Sequence, residues 1–454
     1  MMLWMTYDVP HSLQSPPRPG VGNAASRSAR EVAIVGAGAM GLCAAYYAAK
    51  AGHRVTVFEH DRVPGGMAAH FDLGGISIER FYHFVCKADQ TTFDLMEELG
   101  LGDLMRWRPT SMAYFTDGRL HRWGDPFSLL ALPGLGLIDK LRYGLLAYTS
   151  TRRTDWKRLD ALKAHEWVQG WVGRRAYEKL WHPLLHLKFF EHADNISAAW
   201  IWTRLKRVGT SRSSLFQEQL GYIEGGSETL VRALCDAITA WGGEIRLGTP
   251  VQEITVDDGA VTGVRTAEGA VPADRVICTV PTPYVSKLIP ALPPDWKLKY
   301  DAIPNIGVVC AIFRLRRSVT PHFWVNISDP RIDIPGIIEF SNLRPLPDTV
   351  VYVPYYMPQS HPKWARDDAF FIEEALQYLQ LLNQTLHRDD IIATKVGRLR
   401  HAQPVCAPRF LETLPDVVTP IAGLQVADTC YYYPEDRGIS ESARLAMTMA
   451  SRLD

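Results

Sequence analysis

The sequence predicts an α/β fold: a parallel-sheet domain whose chain is interrupted by a second, α+β domain. Three observations predict it. A strand–glycine–helix–strand unit occupies residues 31–61. Two later blocks, 221–281 and 421–453, again combine short strands with a helix. The stretches between these blocks differ from them, the first rich in Trp, Arg and apolar residues, the second alternating β-branched and aromatic residues. The boundaries read from this pattern are a flexible extension at 1–30, sheet-domain pieces at 31–100, 221–290 and 401–454, and interleaved pieces at 101–220 (helical) and 291–400 (sheet).

The first unit is the strongest signal. Val32–Val35 is an apolar run suited to a buried parallel strand. Gly36, Gly38 and Gly41 follow as G-x-G-x-x-G, with Ala39 and Met40 opening a helix that should end near Gly52. Gly36 permits the tight turn, Gly38 lets a pyrophosphate approach the backbone, and Gly41 lets the helix pack on the strand. The free N–H groups at the helix start favour phosphate. "RVTVFE" is a second strand ending at Glu59, with His60 beside it. An acid at that place hydrogen-bonds a ribose hydroxyl and favours NAD or FAD over NADP. The unit is Rossmann-like.

Composition narrows the class. Lys+Arg and Asp+Glu balance at 49 each, so no global field draws the chain to nucleic acid. The seven cysteines are scattered and never spaced C-x-x-C, which points to a reducing, cytoplasmic setting without a disulfide framework or zinc site. No apolar run reaches the ~18–20 residues of a membrane span. Residues 1–30 hold Pro10, Pro16, Pro17 and Pro19 and lack the apolar core of a secretory signal; a cleaved organellar segment is the alternative to a flexible extension.

A second glycine pair, Gly65–Gly66, follows the acid-ended strand. It resembles the extended fingerprint of the amine oxidase, protoporphyrinogen oxidase, phytoene desaturase and UDP-galactopyranose mutase superfamily. There the pair continues along the FAD pyrophosphate and ribityl chain. Many members carry arginine next, where this chain has Met67–Ala68. The resemblance extends to 221–281, where Val251 matches the residue beside the adenine, and to "GLQVAD", where Asp428 matches an acid reaching the ribityl or pyrophosphate oxygens. The glycine expected before it is Ala427. Gly438 and Ile439 open the last helix, with Ser440 or a neighbour as N-cap, and the resemblance implies that this helix faces the flavin N1–C2=O end. It implies FAD as cofactor and a Rossmann-like FAD-binding domain with an interleaved α+β substrate domain. No second G-x-G-x-x-G serves a nicotinamide, so electrons would pass to substrate, dioxygen, a quinone or a protein partner.

The interleaved pieces carry several candidates. "PFSLLALPGLGLIDKLRYGLLAY" (126–148) is either a peripheral membrane-binding segment or a buried helix pair broken at Pro133–Gly134, and its few cations favour the second. His182 and His186 at i, i+4 have too few carboxylates nearby for a metal site, so packing beside the ligand cavity is expected instead. Arg174, Arg175, Arg204, Lys206 and Arg207 suit either a substrate phosphate or carboxylate or a solvated helix face. Glu339, Asn342, Tyr355 and Tyr356 lie on expected strands over the cavity.

For chemistry the first candidates are Tyr82 and His83, in "ISIERFYHFVCK" after the glycine pair; His83 has a free pKa near neutrality and suits a base or a hydrogen-bond donor. Arg437, in "YPEDRG" with Glu435 and Asp436, could face flavin phosphate or an anionic substrate, or be an exposed ion pair in a capped turn. Tyr356 completes the set. The expected function is an FAD-dependent oxidoreductase removing hydride from an amine, a ring or an isoprenoid-like small molecule. A redox-neutral enzyme of the mutase kind is the alternative, and a non-catalytic flavin-binding protein the third.

Overall fold

The computed structural model describes residues 29–214 and 216–453, so the extension expected at 1–30 lies almost wholly outside the described residues. A five-stranded parallel sheet runs in the order Glu244–Arg246, Arg54–Phe58, Glu31–Val35, Arg275–Cys278, Leu424–Val426. All three sequence blocks supply strands to it. Helix Ala39–Lys50 lies on one face between helices Ser227–Ala240 and Ile439–Ala450. Its Ala44, Ala45, Ala48 and Ala49 are buried, and side chains this small let three helices crowd one strand face.

Beside it stands a seven-stranded sheet in the order Ile391–Pro404, Asn305–Leu315, Thr349–Met357, Gly336–Glu339, Trp324–Ile327, Met112–Thr116, Arg119–Trp123. The long central strands alternate. Val309, Ala311, Phe313, Val353 and Tyr355 pack with helix Asp368–Leu382, while Val308 and Tyr356 face the helices that run from Pro126 to Thr210. This alternation sends Tyr355 and Tyr356 to opposite sides.

Two expectations need correcting. Residues 105–123 are strands, not helix: Met112–Thr116 and Arg119–Trp123 form a hairpin about Asp117–Gly118, a D-G turn signal that the Trp- and Arg-rich composition obscured. The stretch 126–148 is two helices, Pro126–Ala131 and Leu137–Arg152, split near Pro133–Gly134, but the pair is not buried. Leu137, Ile138, Leu141, Leu145 and Tyr148 are all exposed.

The two sheets meet at a buried carboxylate. Glu79 Oε2 pairs with Arg344 Nη1 at 3.0 Å, and Oε1 accepts from the Ser227 N–H at 3.1 Å. The Tyr352 hydroxyl donates to the Glu79 carbonyl at 2.7 Å. Burial opposes its charge, yet His70 and Arg344 prevail and bring its pKa down to about 2. Its contribution is present above the ordinary carboxylate range and is lost as pH falls toward that value. Arg344→Ala leaves this carboxylate uncompensated and is expected to cost about 3–5 kcal/mol in urea unfolding. Arg344→Met combined with Glu79→Gln is expected to cost less than Arg344→Ala alone; an equal or larger loss would show that the pair's charges are not what matters.

Candidate active site

The glycine turn at the tip of Glu31–Val35 sorts its residues by purpose. Gly36 has φ +104°, and a Cβ on Gly41 would lie 1.9 Å from the Gly36 carbonyl oxygen, so these two are demanded by the fold. Gly38 is different. Its φ is −69°, and a Cβ there would meet nothing within 4 Å. The protein alone does not require glycine at 38; the open space above it does. Gly66, with φ +57°, stands against Gly38, its Cβ position 3.0 Å from the Gly38 Cα. Helices Ala39–Lys50 and Ile439–Ala450 begin at Gly38 and Gly438 with no side-chain cap, which leaves their first N–H groups to another partner. The second helix thus starts at Ile439, not on a capping Ser440.

Glu59 is buried at the end of its strand, and Oε2 accepts from the Ala37 N–H at 2.7 Å. Burial works against its charge, but the His60 imidazole and the Asp61 and Ala37 N–H groups outweigh it and hold the carboxyl below its ordinary range. The His60 side chain itself is exposed. Asp428 is buried and engaged: Oδ2 accepts from Thr282 N–H at 2.7 Å and Oδ1 from Cys430 N–H at 2.8 Å. Val251 is half-buried against the Ile254 cluster.

A cavity of about 670 Å³ opens between the seven-stranded sheet, the helices and the start of Ile439–Ala450. Tyr82, His83, Tyr356 and Arg437 all line it, as do Met67, Gly438 and Ile439. The four chemistry candidates, distant in sequence, are brought together. Tyr82 packs edge-on to Trp324 and Tyr352 at ring distances of 5.5 and 5.7 Å, and burial pushes its phenol far up. His83 departs from the expectation of a near-neutral base: burial drops its pKa to about 4, and its buried Nδ1 has no hydrogen-bond partner among the described residues. It is a neutral hydrogen-bonding ring at pH 7. Arg437 Nη1 donates to the Ala402 carbonyl and lies 4.0 Å from the Met67 sulfur.

Residues 41–398 match the flavin containing amine oxidoreductase family. The chain belongs to that family. It is 27% identical over 308 residues to a 15-cis-phytoene desaturase of Synechococcus elongatus, covering 61% of this chain and 64% of that protein. With the Arabidopsis thaliana 15-cis-phytoene desaturase it shares 28% over 325 residues, 66% of this chain and 55% of the relative. The match thus spans between about half and two thirds of these curated relatives' length. The fold is shared with an oxidoreductase from Methanosarcina mazei (TM-score 0.72, 18% identity, 93% of this chain and 100% of that one). It is shared equally with reduced UDP-galactopyranose mutase (0.71, 16%, 93% and 95%).

The cofactor of this flavin family is FAD, and the cradle fits it. The open Gly38, the uncapped helix starts and the buried acid at Glu59 are what a dinucleotide flavin needs.

Other expected site residues fall elsewhere. Glu339 accepts from Ser318 Oγ and from the Val319 and Thr320 N–H groups, with burial lifting its pKa to about 7; Asn342 donates to the Thr320 and His322 carbonyls. Tyr355 packs on Phe371, away from the cavity. His182 and His186 are exposed and stacked at 5.9 Å, not packed beside the cavity. Among the described residues no group of three or more His, Cys, Asp or Glu side chains is gathered for a metal.

Sequence reasoning missed Lys188 and Trp200, both on the cavity wall. Lys188 shares a helix face with Leu184, Leu185 and Phe189, so a lysine standing in an apolar stripe was the available signal.

Two outcomes follow from this geometry. Gly38→Val is expected to keep the fold, judged by thermal unfolding, and lose bound FAD, judged by visible absorption; Gly41→Val should lose both. Retained flavin in Gly38→Val would refute the cradle. The unfolded-state imidazole of His83 protonates near 6.5, the folded one only near 4. Stability should therefore fall as pH drops through that window, and more steeply than in His83→Gln.

Proposed function

We propose that the protein is an FAD-dependent enzyme that removes hydride from an isoprenoid-like, largely apolar small molecule drawn from a membrane surface. One observation carries this: the aromatic-walled cavity is continuous with the exposed apolar stripe. The helix Leu137–Arg152 lends Tyr143, Gly144, Ala147 and Tyr148 to the cavity wall and turns Leu137, Ile138, Leu141 and Leu145 outward at spacings of three and four. Phe127, stacked on Phe216 at 5.3 Å, extends the patch. Half of the large apolar side chains exposed among the described residues fall here, and a patch of this kind marks an interaction surface. Lys140, Arg142, Arg152 and Arg153 border it against the single acid Asp139 of that helix, a balance that suits an anionic lipid surface. No helix among the described residues is long and apolar enough to cross a membrane, so the contact proposed is peripheral.

The relatives named phytoene and zeta-carotene desaturases support dehydrogenation as the reaction class. FAD, when bound, supplies a two-electron acceptor. We assign its binding to Gly36, Gly38, Ala39, Met40, Gly41, Glu59, Gly65, Gly66, Met67, Gly438 and Ile439. Tyr82, Tyr356 and Trp324 form an apolar wall that orients the substrate and excludes water. His83, neutral and with no hydrogen-bond partner at Nδ1 among the described residues, offers a hydrogen bond there. Arg437 holds a fixed positive charge at the helix start.

The second reading is a redox-neutral reaction of the mutase kind, favoured by the cations at the cavity's end. Anaerobic titration separates the two. Stoichiometric bleaching of the oxidised flavin by substrate is expected for dehydrogenation; turnover only after prior reduction, without net loss of reductant, would replace it with the mutase reading. The membrane contact is tested by flotation with vesicles of anionic phospholipid. The native chain should float, and Leu137→Ser/Ile138→Ser/Leu141→Ser should remain in the pellet with its flavin content unchanged.

A further inference from the structure

Lys188 is half-buried on the cavity wall, and its Nζ makes no hydrogen bond or ion pair among the described residues. Its neighbours are two ring faces, Trp200 and Tyr356, each 5.0 Å from Nζ at the centroid. Two further cations share this end of the cavity. The Arg204 guanidinium lies over the Trp200 ring, donates from Nη1 to the Trp200 carbonyl at 2.8 Å and pairs through Nη2 with Asp436 at 2.6 Å. Arg437 keeps a buried Nε that makes no hydrogen bond among the described residues and lies 3.7 Å from Asp436 Oδ1. One carboxylate, Asp436, thus faces three cations. The adjoining Arg207 is already matched by Asp89 at 2.7 Å, and Glu435 is taken by the Thr203 hydroxyl at 2.7 Å.

We infer that the molecule entering the cavity carries an anionic group, a carboxylate or phosphate, which seats between Lys188, Arg204 and Arg437. A cation held against two ring faces with no partner of its own gains little for the fold, and leucine at 188 would continue the apolar helix face. A charge-assisted contact to a bound anion is what a lysine there supplies. The place is the reacting end of the cavity, because Arg437 reaches Met67 from one flavin-fingerprint segment and precedes Gly438 and Ile439 of another. The substrate is then amphipathic: its apolar body lies along the aromatic walls and its acidic head meets the three cations. The inference rests on the cavity being the substrate site of a flavin enzyme, but not on the body being isoprenoid.

The test titrates FAD-loaded protein with matched ligands and follows the flavin spectrum. One set is farnesol, farnesoic acid and farnesyl phosphate; the other is benzyl alcohol and benzyl phosphate. The charged members are expected to bind at least about tenfold more tightly than the alcohols. Lys188→Met should erase most of that preference while leaving alcohol binding and thermal stability in place. Lys188→Gln serves if Lys188→Met does not fold. A stronger response to farnesoic acid than to farnesyl phosphate identifies a carboxylate head, the reverse a phosphate. Preference in the benzyl pair alone would sink the isoprenoid reading and leave the anion site standing. Lack of preference in both sets, or preference that survives loss of Lys188, overturns the inference. So does a Lys188→Met variant whose flavin midpoint potential shifts while the ligand preference stays, since the cations would then serve the cofactor.

Discussion

The carboxylate of Glu79 is bonded to Arg344 and to the Ser227 N–H, and its carbonyl to Tyr352, so one residue ties together three distant parts of the chain. The strand bearing it comes from the first sheet block, Ser227 opens a helix of the second, Tyr352 belongs to the seven-stranded sheet, and Arg344 lies in the connection between two of that sheet's strands. The fit is tight enough to dictate a neighbour: Gly226 has φ +84°, and a Cβ there would lie 2.6 Å from Glu79 Oε1 and 2.4 Å from Arg344 Nη1. Because Glu79 also lines the cavity, the contact that joins the sheets fixes the wall on which Tyr82 and His83 sit three and four residues later.

The cavity has two characters. Near the surface it is framed by helix Leu137–Arg152, whose outer face is apolar. Near the glycine segments it gathers Lys188, Arg204, Arg437 and Asp436. Burial holds the Lys188 amine well below its ordinary range, with Arg204 adding to the effect, while Asp436 is kept ionised by the cations around it. A ligand with one polar end can enter such a space in one orientation only, which is how a largely apolar pocket obtains positional control.

Much of this was legible in the sequence where local rules operate. The 31–61 unit announces itself because strand, glycines, helix and terminal acid must follow one another within a single supersecondary unit. Tyr82, His83, Tyr356 and Arg437 could be named from their places relative to the glycine pair, the strands and the last helix, and the fold does bring them to one cavity. What escaped depends on tertiary surroundings. The pKa of His83 is set by enclosure, which no neighbour in sequence reveals. The stripe of Leu137 and Ile138 has the spacing of a buried helix and only the finished fold shows that no described residue covers it. The His182–His186 pair drew attention by residue type, while Lys188 on the same helix turned inward. Glu339 and Tyr355 were placed on the right strands, but period-2 alternation and strand ends sent them away from the cavity.

The order of strands in the parallel sheet sets a schedule for biosynthesis. Its central strand, Glu31–Val35, is made well before the neighbour that completes one side, Arg275–Cys278, and the strand beyond that, Leu424–Val426, comes later still. Helix Ile439–Ala450, which covers Ala39–Lys50, follows even that. Domains assembled from such distant segments gain their stability only once the last of those segments has been made. The nascent chain therefore holds an exposed glycine turn and an uncovered apolar helix until Leu424–Val426 and Ile439–Ala450 have been made.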